Sequence, residues 1–186
     1  MFRELLKRRP KLNTYVMYTT RPPREGEKEG KAYHFTDEAG IESFRRAGKL
    51  IESRTYRTVA GPWTYATVDD GQINLSAGDY LMPATLESYR TLKKRFGADA
   101  LVPIYIDADD GDRLLRAVQR ERQQSAPNYK EVCRRFLADE ADFSETNLKE
   151  AGIGLHYEND DLETCVGQIL DMMDKKQSQS KEPFEL

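Results

Sequence analysis

Short apolar strands alternate with amphipathic helices through the second half of the chain, and this pattern limits the possible folds more than any other feature. Segments 79–84, 100–106 and 155–158 predict strands, and apolar residues recur at helical spacing after each of them. Apolar strands that are joined through helices are typical of a parallel sheet with helices on its faces. The sequence therefore predicts an α/β fold.

The first half of the chain indicates a different arrangement. Strands at 50–59 and 63–68 flank the turn Ala60-Gly61-Pro62, which predicts an antiparallel hairpin and hence a small β subdomain inserted into the sheet. The other expected elements are a strand at 15–19 and helices at 2–8, 36–48, 86–96, 112–122, 128–139 and 161–174. Residues 175–186 are polar and predict a disordered tail.

Composition excludes several classes of protein. The chain has no run of about 20 apolar residues that could cross a bilayer, and its N-terminus lacks the apolar core of a secretory signal. A net charge of −3 does not supply the basic surface that nonspecific nucleic-acid binding needs. Cys133 and Cys165 favour a reducing cytoplasm, and His34 and His156 are too isolated for a zinc site, so we assign no metal ligands.

The segment TTRPPREGE, residues 19–27, is the densest chemical signal in the sequence. Arg21 and Arg24 lie three residues apart, and the two prolines between them restrict the backbone. Guanidinium groups in fixed positions suit a phosphate, because each offers parallel donors and a permanent charge. The alternative is a solvated loop in which the arginines pair with Glu25 and Glu27, and spacing alone leaves both possibilities open.

Three further side chains could complete such a site. Tyr33 and Tyr65 can each donate a phenolic hydrogen bond to a phosphate oxygen, although a half-buried strand tyrosine is the alternative for each. Glu52 lies in a strand that runs from apolar to polar residues, where its carboxylate could accept two hydrogen bonds from a guanine edge. The alternative for Glu52 is a strand glutamate that faces solvent.

Arginines also recur on two predicted helices in the second half. Arg116 and Arg120 lie four residues apart on one helix, and Arg134 and Arg135 lie on the next. Two such helices could form a lid that closes over transferring phosphates. The alternative is an ordinary charged helix face with Glu131 nearby.

Taken in order, these motifs resemble those of guanylate kinase. The matching segments are YTTRPPREGEKEGKAYHF, GKLIES, TYAT, the arginine-bearing lid and ENDDLE, from about residue 15 to about residue 169. The first segment is highly specific, whereas the lid match is loose. The resemblance implies a domain at 1–174 with a P-loop NTPase-like parallel sheet flanked by helices, a monophosphate-binding subdomain at 19–69 and a lid at 112–140.

The resemblance also implies roles for individual residues, none of which follows from spacing alone. The GMP phosphate would be held by arginines and tyrosines, the guanine by a carboxylate and a neighbouring hydroxyl, and the adenine of ATP by an Asn-Asp pair. The implied residues are Arg21, Arg24, Tyr33 and Tyr65 for the phosphate, Glu52 and Thr67 for the guanine, Asn159 and Asp160 for ATP, and Arg116, Arg120 and Arg135 for catalysis.

Three departures from the family pattern stand out. The phosphate-cradling motif G-x-x-x-x-G-K-[ST] occurs nowhere in the chain, and the first helix looks like the one that normally follows that loop. Segment 81–87 lacks family acids that contact guanine or organise magnesium, and Met17 stands at or near a family serine. We therefore expect the natural protein to be longer at its N-terminus, with codons for the missing strand and loop upstream of Met1.

The resemblance predicts a nucleoside monophosphate kinase that transfers the γ-phosphoryl group of ATP to GMP, with Mg²⁺, to give GDP and ADP. Without the phosphate-cradling loop, we expect impaired activity from this chain. Two alternatives stay open: a non-catalytic guanylate-kinase-like binding module, and a kinase for another nucleoside monophosphate. The expected partners are GMP and ATP, with neither nucleic acid nor membrane, and the expected compartment is the cytoplasm.

Overall fold

The computed structural model describes residues 1–24, 26–58 and 61–179. The helices are α1 (Phe2–Arg8), α2 (Glu38–Arg46), α3 (Leu86–Phe96), α4 (Asp110–Arg122), α5 (Tyr129–Asp142), α6 (Glu145–Ala151) and α7 (Leu162–Gln179). The strands are β1 (Asn13–Thr14), β2 (Tyr18–Thr19), β3 (His34–Phe35), β4 (Leu50–Thr58), β5 (Gly61–Val68), β6 (Tyr80–Leu81), β7 (Tyr105–Asp107) and β8 (His156–Glu158).

The strands form three sheets in this part of the chain. β1 pairs with β6 and β7 pairs with β8, both in parallel. The third sheet has the order β3-β2-β5-β4, in which β2 is parallel to β3 and the other neighbours are antiparallel. Parallel strand pairs, flanking helices and an antiparallel hairpin together confirm the predicted α/β class.

The chain divides into two compact units. The first, called here the N-terminal unit, comprises Leu6–Leu101 with Phe2. The second, the C-terminal unit, comprises the described residues from Val102 onward together with Met1 and Arg3–Leu5. The four-stranded sheet belongs to the first unit, and the pair β7-β8 belongs to the second.

Helix α2 covers one face of the four-stranded sheet. Its first turn is capped by the carboxylate of Asp37, which accepts a hydrogen bond from the backbone N–H of Gly40 at 2.8 Å. Its buried Ile41 packs with two residues of β5, and half-buried aromatic and aliphatic side chains surround this cluster. The apolar cluster consists of Ile41, Ala66, Val68, Tyr18, Phe44 and Leu50.

The core of the C-terminal unit lies around α6, α7 and β8. Cys165, Val166 and Ile169 on α7 are fully buried, as is Leu148 on α6. Helix α6 ends at Gly152, whose φ of 79° is a left-handed conformation that closes helices and that glycine adopts without a steric penalty.

Several elements differ from the sequence prediction. The strands predicted at 79–84 and 100–106 are shorter, because Pro83 and Pro103 have no N–H to donate to a ladder. The strand predicted at 15–19 is formed only by its last two residues, because Tyr15 turns inward and binds the backbone of Val68 through its hydroxyl. Helix α6 was not predicted at all.

The last helix is longer than the sequence predicts. Helix α7 continues through Gln179, so residues 175–179 are helical rather than part of a disordered tail. The remaining residues of that predicted tail, 180–186, lie outside the described residues, as do Val59 and Ala60 of the predicted turn. None of the helices described here has the length and apolar character that a membrane span requires.

Candidate functional site

The two faces of the four-stranded sheet differ sharply in polarity. Side chains alternate along β5, so Thr64, Ala66 and Val68 lie on the face covered by α2, and the hydroxyl of Thr64 donates to Glu38 of that helix at 2.7 Å. Tyr65 therefore lies on the opposite face with Thr67, and the side chains that share this face are mainly polar. We call this opposite side the polar face.

Arg21 is the most deeply buried charged group on the polar face. Only 3% of its side chain is exposed, and its Nη2 donates to both carboxylate oxygens of Glu27, at 2.8 and 2.9 Å. Its Nη1 donates to the carbonyl oxygen of Pro22 at 2.8 Å, and its guanidinium lies 5.3 Å from the ring centre of Tyr33. Arg21 is therefore fixed in position before any ligand binds.

Glu27 holds together the segment that carries Arg21 and Arg24, which we call the arginine loop. Besides Arg21, its carboxylate accepts a hydrogen bond from the backbone N–H of Arg24 at 2.7 Å. The hydrogen bond from Arg21 is the main reason why the pKa of Glu27 is lowered, and the same contact raises the pKa of Arg21. The sequence analysis left open that the two arginines pair with Glu25 and Glu27, and Arg21 does pair with Glu27. Arg24 is exposed, and Glu25 lies outside the described residues.

The two predicted tyrosines meet on the polar face. The rings of Tyr33 and Tyr65 are in edge-to-face contact, with centroids 5.6 Å apart, and the ring of Tyr56 also contacts Tyr65, with centroids 5.8 Å apart. Burial raises the pKa of the Tyr33 phenol, which therefore stays protonated and able to donate. Arg21, Tyr33 and Tyr65 form one contiguous group.

Glu52 and Thr67 lie side by side on β4 and β5. The hydroxyl of Thr67 donates to Oε1 of Glu52 at 2.8 Å, and Thr67 is 2% exposed. A β-bulge separates this pair from the pair Leu50–Val68, so Leu50 lies on the apolar face although it is only two residues from Glu52. The hydrogen bond from Thr67 uses one carboxylate oxygen of Glu52, and the second can accept from a ligand.

Sequence reasoning missed three features of this unit. Arg54 shares the polar face with Glu52 because the residues are two apart on one strand, a periodicity that the sequence does contain. The hydroxyl of Tyr18 donates to Asp70 at 2.8 Å. Burial and this hydrogen bond together raise the pKa of Tyr18 to about 12. The amide of Gln72 also pairs with both backbone groups of Val16, which holds the loop after β5 against the segment before β2.

The remaining predicted residues lie in the C-terminal unit. Both Nη atoms of Arg116 approach the carbonyl oxygen of Asn159, at 3.3 and 3.4 Å, so the structure brings these two predicted residues together, while Asp160 is exposed. Arg120 is also exposed. Arg135 donates to Glu131 of its own helix at 2.8 Å, as the charged-face alternative predicts.

Comparison with known proteins decides the family. The family model described as "Guanylate kinase" matches residues 1–176 of the chain. The chain belongs to the guanylate kinase family. The predicted resemblance is thereby confirmed, and the α/β fold described above is that of a P-loop kinase-like protein.

Individual relatives are moderately similar to this guanylate kinase family member. A guanylate kinase of Bordetella pertussis is 31% identical over 140 residues, which cover 74% of this chain and 61% of that protein. A guanylate kinase of Aromatoleum aromaticum is 48% identical over 48 residues, 26% of this chain and 24% of the relative. The chain thus spans less than two thirds of the length of either relative.

A solved structure supports the fold independently. The crystal structure of guanylate kinase from Anaplasma phagocytophilum matches 97% of this chain and 81% of its own, with a TM-score of 0.60 and 18% sequence identity. At that identity the likeness concerns the fold, and the function is argued from the site.

Proposed function

We propose that this chain binds GMP on the polar face of its four-stranded sheet and acts as a guanylate kinase-like nucleoside monophosphate kinase. One observation carries the proposal: a buried guanidinium, two tyrosine hydroxyls and a hydroxyl-supported carboxylate share one face of one sheet. Arg21, Tyr33 and Tyr65 supply donors for a phosphate, while Glu52 supplies an acceptor for a base. Guanine offers an N1–H and an amino group side by side, which match the two oxygens of a carboxylate.

Phosphoryl transfer depends on the positioning of its substrates more than on covalent catalysis by the protein. An oxygen of the GMP phosphate attacks the γ-phosphorus of ATP, the bond to the bridging oxygen breaks, and ADP leaves as GDP forms. The arginines and tyrosines would hold the attacking phosphate in line, and Thr67 would orient Glu52 on the guanine. Arg116, Arg120 and Arg135 would neutralise charge on the transferred group, with Asn159 and Asp160 near the adenine.

We assign no protein ligand to the magnesium that accompanies ATP in such reactions. Over residues 1–24, 26–58 and 61–179, the structure gathers no group of three or more His, Cys, Asp or Glu side chains suited to a metal ion. The sequence also lacks the motif G-x-x-x-x-G-K-[ST]. We therefore expect GMP binding by this chain to be easier to detect than phosphoryl transfer.

Calorimetric titration of the 186-residue chain with GMP tests the proposal, with AMP, CMP and UMP as competing acceptors. We expect R24A to weaken GMP binding about tenfold or more, because a charge-assisted hydrogen bond to phosphate is lost. R45A is the matched control, since Arg45 is exposed on α2 and pairs with Glu42. GMP binding that is absent, or unchanged in R24A, contradicts the proposed phosphate clamp.

A non-catalytic guanylate-kinase-like binding module is the second candidate. An assay that couples ADP release to a spectroscopic signal separates the two, because a binding module takes up GMP without consuming ATP. A better response to a monophosphate other than GMP would instead identify a different acceptor, which the changed segment 81–87 leaves open.

A further inference from the structure

We propose that Arg54 is a further binding residue of the acceptor site and donates its guanidinium hydrogen bonds to the phosphate of the bound monophosphate. The inference rests on the proposed function, because the acceptor is defined there. None of the motifs that carry the family resemblance assigns a role to this residue.

The register of the hairpin places Arg54 at the phosphate end of the polar face. Arg54 is directly opposite Tyr65, and two residues away along the same two strands Glu52 is opposite Thr67. Side chains of directly opposed residues lie on the same face of an antiparallel pair. Tyr65 in turn contacts Tyr33, which lies beneath Arg21. Arg54 and Arg21 therefore flank the two tyrosines.

The guanidinium of Arg54 has an ion-pair partner in Glu87, but two of its nitrogens have no hydrogen-bond acceptor in the part of the chain that the structure describes. Its side chain is 15% exposed, and its Nε and Nη2 are the two buried side-chain polar atoms of the described residues without a hydrogen-bond partner. Nη2 is 3.1 Å from Oε2 of Glu87, but this contact lacks hydrogen-bond geometry, and Glu87 is 78% exposed. Buried donors left without an acceptor are costly, and an oxygen of a bound ligand would supply the missing acceptor.

Charge balance points to phosphate as that ligand. A phosphate monoester carries about −1.5 to −2 charges at neutral pH. Arg21 is already paired with Glu27 and adds little net charge to the site. Arg54 supplies a second buried cation whose planar fork matches two phosphate oxygens. A carbonyl group of the base is a less suitable partner for Arg54, because the base is expected to lie nearer to Glu52 and Thr67.

Calorimetry with GMP and with guanosine, which lacks the phosphate, tests this assignment on the full chain. We expect R54Q to weaken GMP binding about ten- to a hundredfold, as for one charged hydrogen-bonded contact, and to leave guanosine binding unchanged. R54K should bind GMP better than R54Q. R57Q is the matched control, because Arg57 is exposed on the same strand with its side chain on the opposite face.

Thermal unfolding separates a binding role from a structural one. If Arg54 is retained for a ligand, R54Q removes buried unpaired donors and the ligand-free protein melts at the same or a higher temperature. E87Q should then leave GMP affinity equal or higher. If instead R54Q and E87Q both lower the melting temperature, Arg54 is a structural partner of Glu87 and the proposal is wrong.

The remaining outcomes are distinguishable. Equal loss of GMP and guanosine affinity in R54Q would place Arg54 at the base and overturn the phosphate assignment. Unchanged GMP affinity in R54Q, with binding by the wild type intact, overturns the role of Arg54 alone. A wild type that binds no GMP overturns the proposed function and this inference together.

Discussion

Glu52 owes its place on the polar face to one irregular residue. In a regular strand, residues two apart lie on the same face, so Leu50 and Glu52 would both be either buried under α2 or exposed. The bulge between them changes the register, so that Leu50 opposes Val68 while Glu52 opposes Thr67. One extra residue thus lets a single strand contribute an aliphatic side chain to the core and a carboxylate to the site.

Thr67 fixes that carboxylate, and its loss should be felt in binding as well as in stability. T67V keeps the β-branched shape but removes the 2.8 Å hydrogen bond to Glu52. We expect a loss of about 1 kcal/mol in the free energy of unfolding and several-fold weaker GMP binding, because Glu52 is no longer oriented. Chemical denaturation and calorimetry measure the two effects.

T64V is the matched control for that variant. Thr64 lies three residues earlier on β5, is also 2% exposed and also donates to a glutamate, but on the face covered by α2. Its replacement should lower stability without changing GMP affinity. If T64V weakens GMP binding as much as T67V does, the effect comes from the sheet as a whole and not from the polar face.

At the scale of residues, the sequence analysis named Arg21, Tyr33 and Tyr65 as candidates, and the structure places them in contact. The sequence could not choose between phosphate binding and an ion pair with Glu27, since both use the same groups. Arg54 was missed because its importance lies in the partners that it lacks, which only the three-dimensional structure reveals.

Among the elements, α5 depends on a charge cluster in its first turn. Glu131 accepts hydrogen bonds from Arg134 and Arg135, each at 2.8 Å, and these contacts lower its pKa to about 2. Its backbone N–H is also bound by Asn128, the N-cap of the helix, at 3.1 Å. An acid in this position favours the helix through both its pairs and the helix dipole.

The pH dependence of this cluster follows from the lowered pKa. A carboxyl whose pKa falls on folding stabilises the protein above its ordinary pKa of 4.5 and loses that contribution as the pH drops toward about 2. E131Q should therefore be less stable than the wild type near neutral pH, by less than about 1 kcal/mol because the pairs are solvent-exposed. The difference should shrink steadily as the pH falls from about 4.5 through about 2.

Denaturation of the two proteins from pH 7 to pH 2 measures this difference, and 1 M salt should reduce it because exposed ion pairs are screened. A stability difference that stays constant down to pH 2 would show that Glu131 acts through packing and not through its charge.

Elements were predictable where local signals were strong. The helix predicted at 36–48 corresponds to α2, and the predicted hairpin of strands 50–59 and 63–68 corresponds to the pair β4-β5. Helix α6 has local signals too, with Ser144 before it and Gly152 after it, but seven residues bury only two side chains and give a weak period. Strand ends near Pro83 and Pro103 depend on ladder hydrogen bonds, which the sequence does not show.

On the scale of the whole molecule, the proposed acceptor and donor residues belong to different compact units. All six residues proposed for GMP, and Arg54, lie in the N-terminal unit. The proposed lid arginines and the Asn159–Asp160 pair lie in the C-terminal unit. Each unit has its own buried cluster, so each can respond to a ligand separately.

Hydrogen exchange of the full chain with and without GMP tests this division. A ligand that binds only the native state protects the segments that hold it. We expect slower exchange in peptides covering the arginine loop, β4 and β5, and no change in peptides covering α4, α5 and β8. R24A should abolish the protection, whereas R45A should retain it. If GMP protects only peptides of the C-terminal unit, the acceptor binds there and our placement of GMP in the N-terminal unit is wrong.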